Sequence, residues 1–183
     1  MSSVRFHDAL EGTFGAPEDA IPHPMNPNNG DVEEIRRSIR ANGCYRHVWV
    51  SRKTRHIVGG HHLHQALVAE GAEKIPYLWL DLEDDDAEVR VLLADNAIAR
   101  KSWIDPGLEL ALARRLEESE IGLYGSGLTE EDLARMIRDE EESMGDALGR
   151  AMGAGDTSSQ VCCPACGHSF DIDLNLEALE SEL

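Results

Sequence analysis

Two adjacent glycines and three histidines lie within residues 57–67, whose sequence is IVGGHHLHQAL. A β-type run ends before the glycines, and a helical pattern of apolar residues begins at the first histidine. A strand, a glycine turn and a helix start bring backbone N–H groups and imidazoles to one point, which suits an anion. The pattern predicts an anion site at Gly59, Gly60, His61 and His62. The alternative is an ordinary turn with solvated histidines.

The distribution of charge favours an anion site at this turn. The chain has 183 residues and a formal charge of −18, which argues against a protein that coats DNA nonspecifically, because phosphate attraction requires a basic surface. Residues 35–69 nevertheless contain no Asp or Glu, and they hold five of the eight histidines. Chance clustering on a solvated face is the alternative. The basic side chains of this span are Arg36, Arg37, Arg40, Arg46, Arg52, Lys53 and Arg55.

The cysteines predict a zinc site near the C-terminus. Cys162, Cys163 and Cys166 lie close together, and the segment CPACG has the spacing of a zinc knuckle. A tetrahedral site needs four ligands, so either Cys162 and His168 complete it locally or two chains each donate a pair and form a homodimer through the tail. The alternative is a hairpin without metal. Cys44 is expected to be a small buried residue.

No apolar run reaches membrane-spanning length and no secretory signal is evident. We therefore expect a cytoplasmic protein that contacts no membrane and forms no disulfides.

The spacing of apolar residues, together with capping residues and turn-forming glycine and proline, predicts alternating helices and strands and hence an α+β fold. A helix is predicted from an Asp31 N-cap to Gly43, and others over 61–70, from 84, over 107–119 and from a Thr129 N-cap. Strands are predicted over 45–51, 56–58 and 75–82. A flexible lead is expected over 1–16, a helical extension over 106–140, an acidic and then Gly/Ser-rich linker over 141–160, and the cysteine hairpin with an acidic tail over 161–183.

The order helix, hairpin, helix, strand, helix, together with the glycine turn, resembles the ParB/sulfiredoxin-like superfamily, specifically its ParB N-terminal domain. The resemblance is carried by VEEIRRSIRANG, VWVSRKTRHIVGGHHLHQAL, KIPYLWLDL and LLADNAIARKSWID. It implies a domain over residues 17–105 with a small mixed sheet and flanking helices. It also implies a nucleotide such as CTP, or DNA, as the partner.

Members of that family carry a sequence motif similar to G-E-R-R-x-R-A, which aligns with residues 60–66. Gly60 and Ala66 match its ends, whereas His62 and Leu63 take the first two arginine positions and Gln65 takes the last. Because the arginines hold phosphates in nucleotide-binding members, this departure puts triphosphate binding in question. Histidine after the glycine resembles phage and methyltransferase-associated variants, as does the LADN…WID ending. No methyltransferase motif or helix-turn-helix is evident, which suggests a ParB-like module standing alone.

The resemblance also brings residues from a later helix to the turn. Asp95 and Asn96 would then supply oxygen ligands for Mg²⁺, and Arg100 would contact phosphate. The alternatives are a polar helix end and a surface ion pair.

Three functions follow from these patterns. The first is a nucleotide- or DNA-associated ParB-like protein of phage or mobile-element type. The second is a metal-dependent nuclease or a nucleotide triphosphatase, with His61, His62 and His64 as catalytic groups. The third is a noncatalytic adaptor whose acidic helices bind a protein partner.

Overall fold

The computed structural model describes residues 4–153, 160–162 and 169–171. The chain divides into two compact units, Met1–Ala134 and Arg135–Leu183. No helix in the described part of the chain is long and apolar enough to cross a membrane.

The first unit contains a mixed five-stranded sheet with strand order β1-β5-β3-β4-β2. The inner pair β5 and β3 is parallel, β3 and β4 are antiparallel, and the short edge strands pair with β5 (β1, antiparallel) and β4 (β2, parallel). A register irregularity interrupts the β3–β4 pairing between Trp49 and Val50. The strands are β1 Phe14–Gly15, β2 Ile21–Pro22, β3 Val48–Ser51, β4 His56–Gly59 and β5 Ile75–Leu80.

Five α-helices accompany the strands in the described part of the chain: α1 Val32–Asn42, α2 His61–Ala69, α3 Asp85–Ala99, α4 Pro106–Glu117 and α5 Glu130–Gly153. Side-chain caps begin most of them. The Asp31 carboxylate accepts from the amides of Glu33 and Glu34, and the Asp84 carboxylate accepts from the amide of Ala87. At the start of α5, Thr129 and Asp132 form a reciprocal cap, as the sequence predicted. These local bonds explain why the helices begin where they do.

The core lies between the sheet and the α1–α2 pair. Val48, Val50, Ile57 and Ile75 of the sheet are fully buried, and Leu67 of α2 packs in the same cluster. On β4, consecutive residues are buried because α3 packs against this strand as well. Strand β4 is therefore covered on both faces.

The α+β fold class and the order helix, hairpin, helix, strand, helix predicted from the sequence are confirmed. Two boundaries differ by more than two residues. Strand β3 begins at Val48 rather than at residue 45, because Tyr45 and Arg46 are exposed and precede the paired segment. Helix α5 continues to Gly153, into the linker predicted over 141–160. Its Ala, Leu, Met, Glu and Arg residues favour helix, which offsets a cost of about 1 kcal/mol for each interior glycine.

In the second unit, β6 (Gln160–Cys162) pairs antiparallel with β7 (Ser169–Asp171), and Val161 faces Phe170 in the register. This pairing agrees with the predicted hairpin. Cys163, Cys166 and His168 lie outside the described residues, as does the side chain of Cys162. The zinc site therefore stays a prediction, and so do the domain limits and the homodimer.

Candidate functional site

The turn between β4 and α2 has a backbone that requires glycine. Gly60 has φ +78°, a left-handed conformation that residues with a Cβ adopt at a cost of about 1–2 kcal/mol. Gly59 packs so tightly on the indole of Trp49 that a Cβ there would lie 3.2 Å from Trp49 Cε3. The two glycines therefore let the chain reverse sharply into α2 while Trp49 covers the turn.

The N-terminus of α2 is open. Gly60 is its N-cap residue, and no side chain in the described part of the chain caps it. The first-turn amides, which no intrahelical carbonyl can satisfy, are left for solvent or a ligand. These amides and the positive end of the helix dipole favour a bound anion, and the anion site itself stays a prediction.

A cavity of about 500 Å³ lies over this helix end. It is bounded by the turn itself, by α1, by the segment that leads into β3 and by α3. Its walls mix apolar side chains with amide, imidazole and guanidinium groups. The lining includes Asn26, Asn28, Ile35, Ile39, Tyr45, Arg46, His47, Trp49, Gly59, Gly60, His61, His62, Leu63, Asp95 and Asn96.

Most cations of the acid-free span do not face this cavity. They are neutralised by acids from elsewhere: Arg36 and Arg40 by Glu33 and Glu70, Arg37 by Glu34, Arg52 by Asp81 and Lys53 by Asp85. The Arg55 guanidinium donates to backbone carbonyls of Glu18 and Asp19. Arg46 is the exception, because it lines the cavity and has no ion-pair partner within the described residues. These cations are thus paired with acids outside the span, some just before it in α1 and others farther along the chain, and do not form a broad anion-binding surface.

His61 is buried at the cavity wall and acts as an acceptor. Its Nε2 receives the backbone N–H of His23 at 3.2 Å. Burial, and then the neighbouring His23, His62 and His64 rings, lower the pKa of His61 to about 4. The ring is therefore neutral near pH 7 and adds no positive charge to the cavity.

His62 joins the first turn of α2 to the segment before α1. Its Nε2 accepts the N–H of Gly30 at 2.8 Å. A Cβ at Gly30 would lie 2.8 Å from His62 Nδ1, so only glycine lets the ring sit there. The imidazole therefore closes one side of the cavity through a hydrogen bond to backbone.

His64 faces away from the cavity. Its Nε2–H donates to the carbonyl of Pro17 at 3.0 Å, and its ring stacks near Tyr77, whose hydroxyl donates to the same carbonyl. Burial lowers the pKa of His64, against a smaller opposing effect of the Pro17 hydrogen bond. His64 is not one of the described residues that line the cavity. Its geometry is that of a side chain that fixes the edge of the sheet.

Asp95 and Asn96 reach the cavity from α3, as the resemblance implied. The Asn96 amide donates to the carbonyl of Leu92, which leaves its Oδ1 for a ligand. Arg100, at the C-cap of α3, is exposed and does not line the cavity within the described part of the chain. The Mg²⁺ prediction therefore has two neighbouring oxygen donors, and both the Mg²⁺ site and the phosphate contact of Arg100 stay predictions.

Several cavity residues were not singled out from the sequence. Tyr45, Arg46 and Trp49 line one wall, and Asn26 and Asn28 line another. The only signals for them were the acid-free span and the Pro/Asn-rich segment before α1.

A second polar group lies outside the cavity: His23, His56 and Glu88 have ring nitrogens and a carboxylate oxygen within 4.8 Å of one another. Neither His23 nor Glu88 was predicted as a functional residue. Burial acts to raise the pKa of Glu88, but hydrogen bonds from Thr54 and His56 outweigh it and hold the pKa below its usual value. Glu88 is therefore an anion inside the protein.

No protein-family model matches the chain, and no curated protein matches it. Solved structures of ParB proteins are similar to it. One is the C-terminally truncated chromosome-partitioning protein ParB from Caulobacter crescentus complexed with CTP-γ-S, at 20% identity over 68% of this chain and 69% of that chain, with a TM-score of 0.49. The same protein complexed to the centromeric parS site has 19% identity, coverage of 68% and 63%, and a TM-score of 0.40.

A Pnob8-like ParB-N domain has 14% identity over 86% of this chain and 55% of that chain, with a TM-score of 0.40. Identities and TM-scores at this level are too low to carry a function from one protein to another. The phage or methyltransferase-associated type also stays a prediction.

Proposed function

We propose that this protein binds a phosphate-bearing nucleotide in the cavity at the Gly59–Leu63 turn. The observation that carries the proposal is the uncapped N-terminus of α2, which opens onto a cavity of about 500 Å³ that also contains Arg46. A helix end supplies amide donors, and a cation without an acidic partner adds charge. The two features together favour phosphate over a neutral ligand.

The rest of the cavity suits the base and sugar of a nucleotide. Tyr45 and Trp49 line it and are both partly exposed, and nucleobases stack on such rings. Asn26 and Asn28 offer donors and acceptors for base or ribose edges. A volume of this size is typical of sites for small organic ligands. CTP, which the sequence resemblance implies, is the first ligand to test.

The cavity is poor in charge for a triphosphate. His61 is neutral, Leu63 stands where the family motif has an arginine, and the Asp95 carboxylate opposes Arg46. Asp95 and Asn96 provide oxygen ligands that suit Mg²⁺, whose charge offsets this deficit. We therefore expect nucleotide binding to be weaker without Mg²⁺ than with it.

Calorimetry and tryptophan fluorescence with CTP, ATP and a short DNA duplex test the proposal. Arg46→Gln should weaken nucleotide binding about tenfold, because a charge-assisted hydrogen bond contributes roughly 1.5 kcal/mol or more. Arg52→Gln is the matched control, since it removes the same charge from a residue that pairs with Asp81 outside the cavity. The proposal would be contradicted if the protein bound none of the three ligands. It would also be contradicted if both variants lost the same amount of nucleotide affinity.

The nuclease alternative depends on histidines that are already engaged. His61 and His62 each use Nε2 to accept a backbone N–H, and His64 uses Nε2–H to hold Pro17. The nuclease and adaptor functions stay predictions, and plasmid nicking with Mg²⁺ or Mn²⁺, compared between the native chain and His62→Ala, tests the first of them.

A further inference from the structure

Three potential metal ligands from separate elements meet beside β4. His23 follows β2, His56 is the first residue of β4, and Glu88 lies in the first turn of α3. The distance from His23 Nε2 to Glu88 Oε1 is 3.3 Å, and that from His56 Nδ1 to the same oxygen is 2.7 Å. Two imidazoles thus point at a single carboxylate oxygen.

This group is inside the protein and is held in place. Glu88 is 4% exposed and His23 is 6% exposed, whereas His56 is partly open to solvent. The second carboxylate oxygen of Glu88 accepts the Thr54 hydroxyl at 2.6 Å, which fixes the orientation of the carboxylate. Hydrogen bonds of this kind orient the ligands in metal sites. The solvent-exposed side of His56 lets an ion reach the group from solution.

The spacing is close to that of a coordinated ion. Metal–ligand bonds of about 2.1 Å in tetrahedral geometry hold ligand atoms roughly 3.4 Å apart. The His23–Glu88 distance of 3.3 Å already has this value, and the His56–Glu88 distance of 2.7 Å has to open by less than about 1 Å. Two imidazoles and one carboxylate suit Zn²⁺ and related transition ions, whereas Mg²⁺ and Ca²⁺ prefer oxygen ligands.

We propose that His23, His56 and Glu88 form a zinc-binding site that joins the β2–β4 edge of the sheet to α3. Water completes the coordination at the side of His56 that faces solvent. This proposal concerns other residues than the predicted knuckle at Cys163 and Cys166, and it does not depend on nucleotide binding.

The hydrogen bonds of His23 give the proposal a specific signature. Its Nδ1 accepts the N–H of Met25 at 3.1 Å, so the ring proton is on Nε2, facing Glu88. An ion bound at Nε2 moves that proton to Nδ1, which then can no longer accept from Met25. Met25 is 64% exposed, so it is not held by core packing. Zinc should therefore shift the Met25 amide resonance.

The experiment uses the full chain with Cys162, Cys163 and Cys166 replaced by Ser, so that the tail thiolates cannot bind the ion. Zinc is titrated in competition with a chromophoric chelator, and Co²⁺ absorption reports the ligand set. One equivalent should bind without thiolate charge-transfer absorption. His56→Ala and Glu88→Gln, made in that background, should each weaken binding more than tenfold, and His7→Ala, a remote exposed histidine, should leave it unchanged.

Circular dichroism of each variant shows whether it folds. If a variant fails to fold, the tail-substituted chain itself still decides, because zinc should raise its melting temperature and shift the Met25 amide. Absence of both effects would overturn the proposal. The proposal would also be overturned if Glu88→Gln kept the zinc affinity of the tail-substituted chain, or if His62→Ala abolished it. His23, His56 and Glu88 would then be only a hydrogen-bonded group.

Discussion

The contact between Gly30 and His62 can be tested by a double-mutant cycle. In Gly30→Ala the new methyl would lie 2.8 Å from His62 Nδ1 and 3.0 Å from Cγ, so the ring must move and its hydrogen bond to the Gly30 amide is lost. The lost bond costs about 1 kcal/mol and an off-rotamer ring about 0.5–1.5 kcal/mol. Gly30 is not in the left-handed region, so the alanine backbone itself is unstrained.

Replacing glycine also reduces the entropy of the unfolded chain, which stabilises by about 0.4–1 kcal/mol. We therefore expect Gly30→Ala to lower the free energy of unfolding by about 1 kcal/mol in the native background and to be neutral or slightly stabilising in His62→Ala. The coupling energy should be about 2 kcal/mol.

Urea denaturation of the four proteins, followed by circular dichroism with a chelator present, measures this coupling. If Gly30→Ala costs the same with and without the His62 ring, the ring does not occupy the position described. The same variants serve the binding proposal, because a displaced His62 ring leaves the cavity open on one side and should weaken nucleotide binding.

Acidification should destabilise the fold through its buried histidines. The pKa of His61 is lowered to about 4 and that of His64 is also lowered, so both rings are neutral in the folded state, whereas unfolded rings take up protons near pH 6.5. The stability that these neutral rings provide is thus fully present above pH 7 and is lost as the pH drops through 6.5 toward 4. For His61 the loss in the free energy of unfolding between pH 8 and pH 5.5 is on the order of 1 kcal/mol. His61→Gln should show a shallower pH dependence in urea denaturation, and an unchanged slope would refute this reasoning. Leu67→Ala should lower the free energy of unfolding by about 2–5 kcal/mol, because the Leu67 side chain is fully buried. Leu93→Ala, at a half-exposed position, should lower it by well under 1 kcal/mol. Equal losses in the two variants would contradict the assigned core.

Local features of the fold could be predicted from the sequence because they depend on residues a few positions apart. The Asp31 cap and the Thr129–Asp132 cap follow from side chains within three or four residues, and the turn at Gly59 and Gly60 follows from glycine's freedom of φ. The alternation of helical and strand patterns also predicted the order of elements around the turn. The start of a helix at His61, directly after the glycine turn, was predicted for the same reason.

Only the tertiary structure decided which charges and rings meet. Four of the seven cations of residues 35–69 pair with acids 29 to 34 residues away, as Arg36 does with Glu70. Arg46 alone of the seven lines the cavity among the described residues. His23, His56 and Glu88 are brought together from the segment after β2, from β4 and from α3, although no spacing in the sequence relates them. Burial made His61 a neutral acceptor rather than a cation. Partner choice and desolvation depend on the packing of distant elements, which short-range residue patterns do not encode.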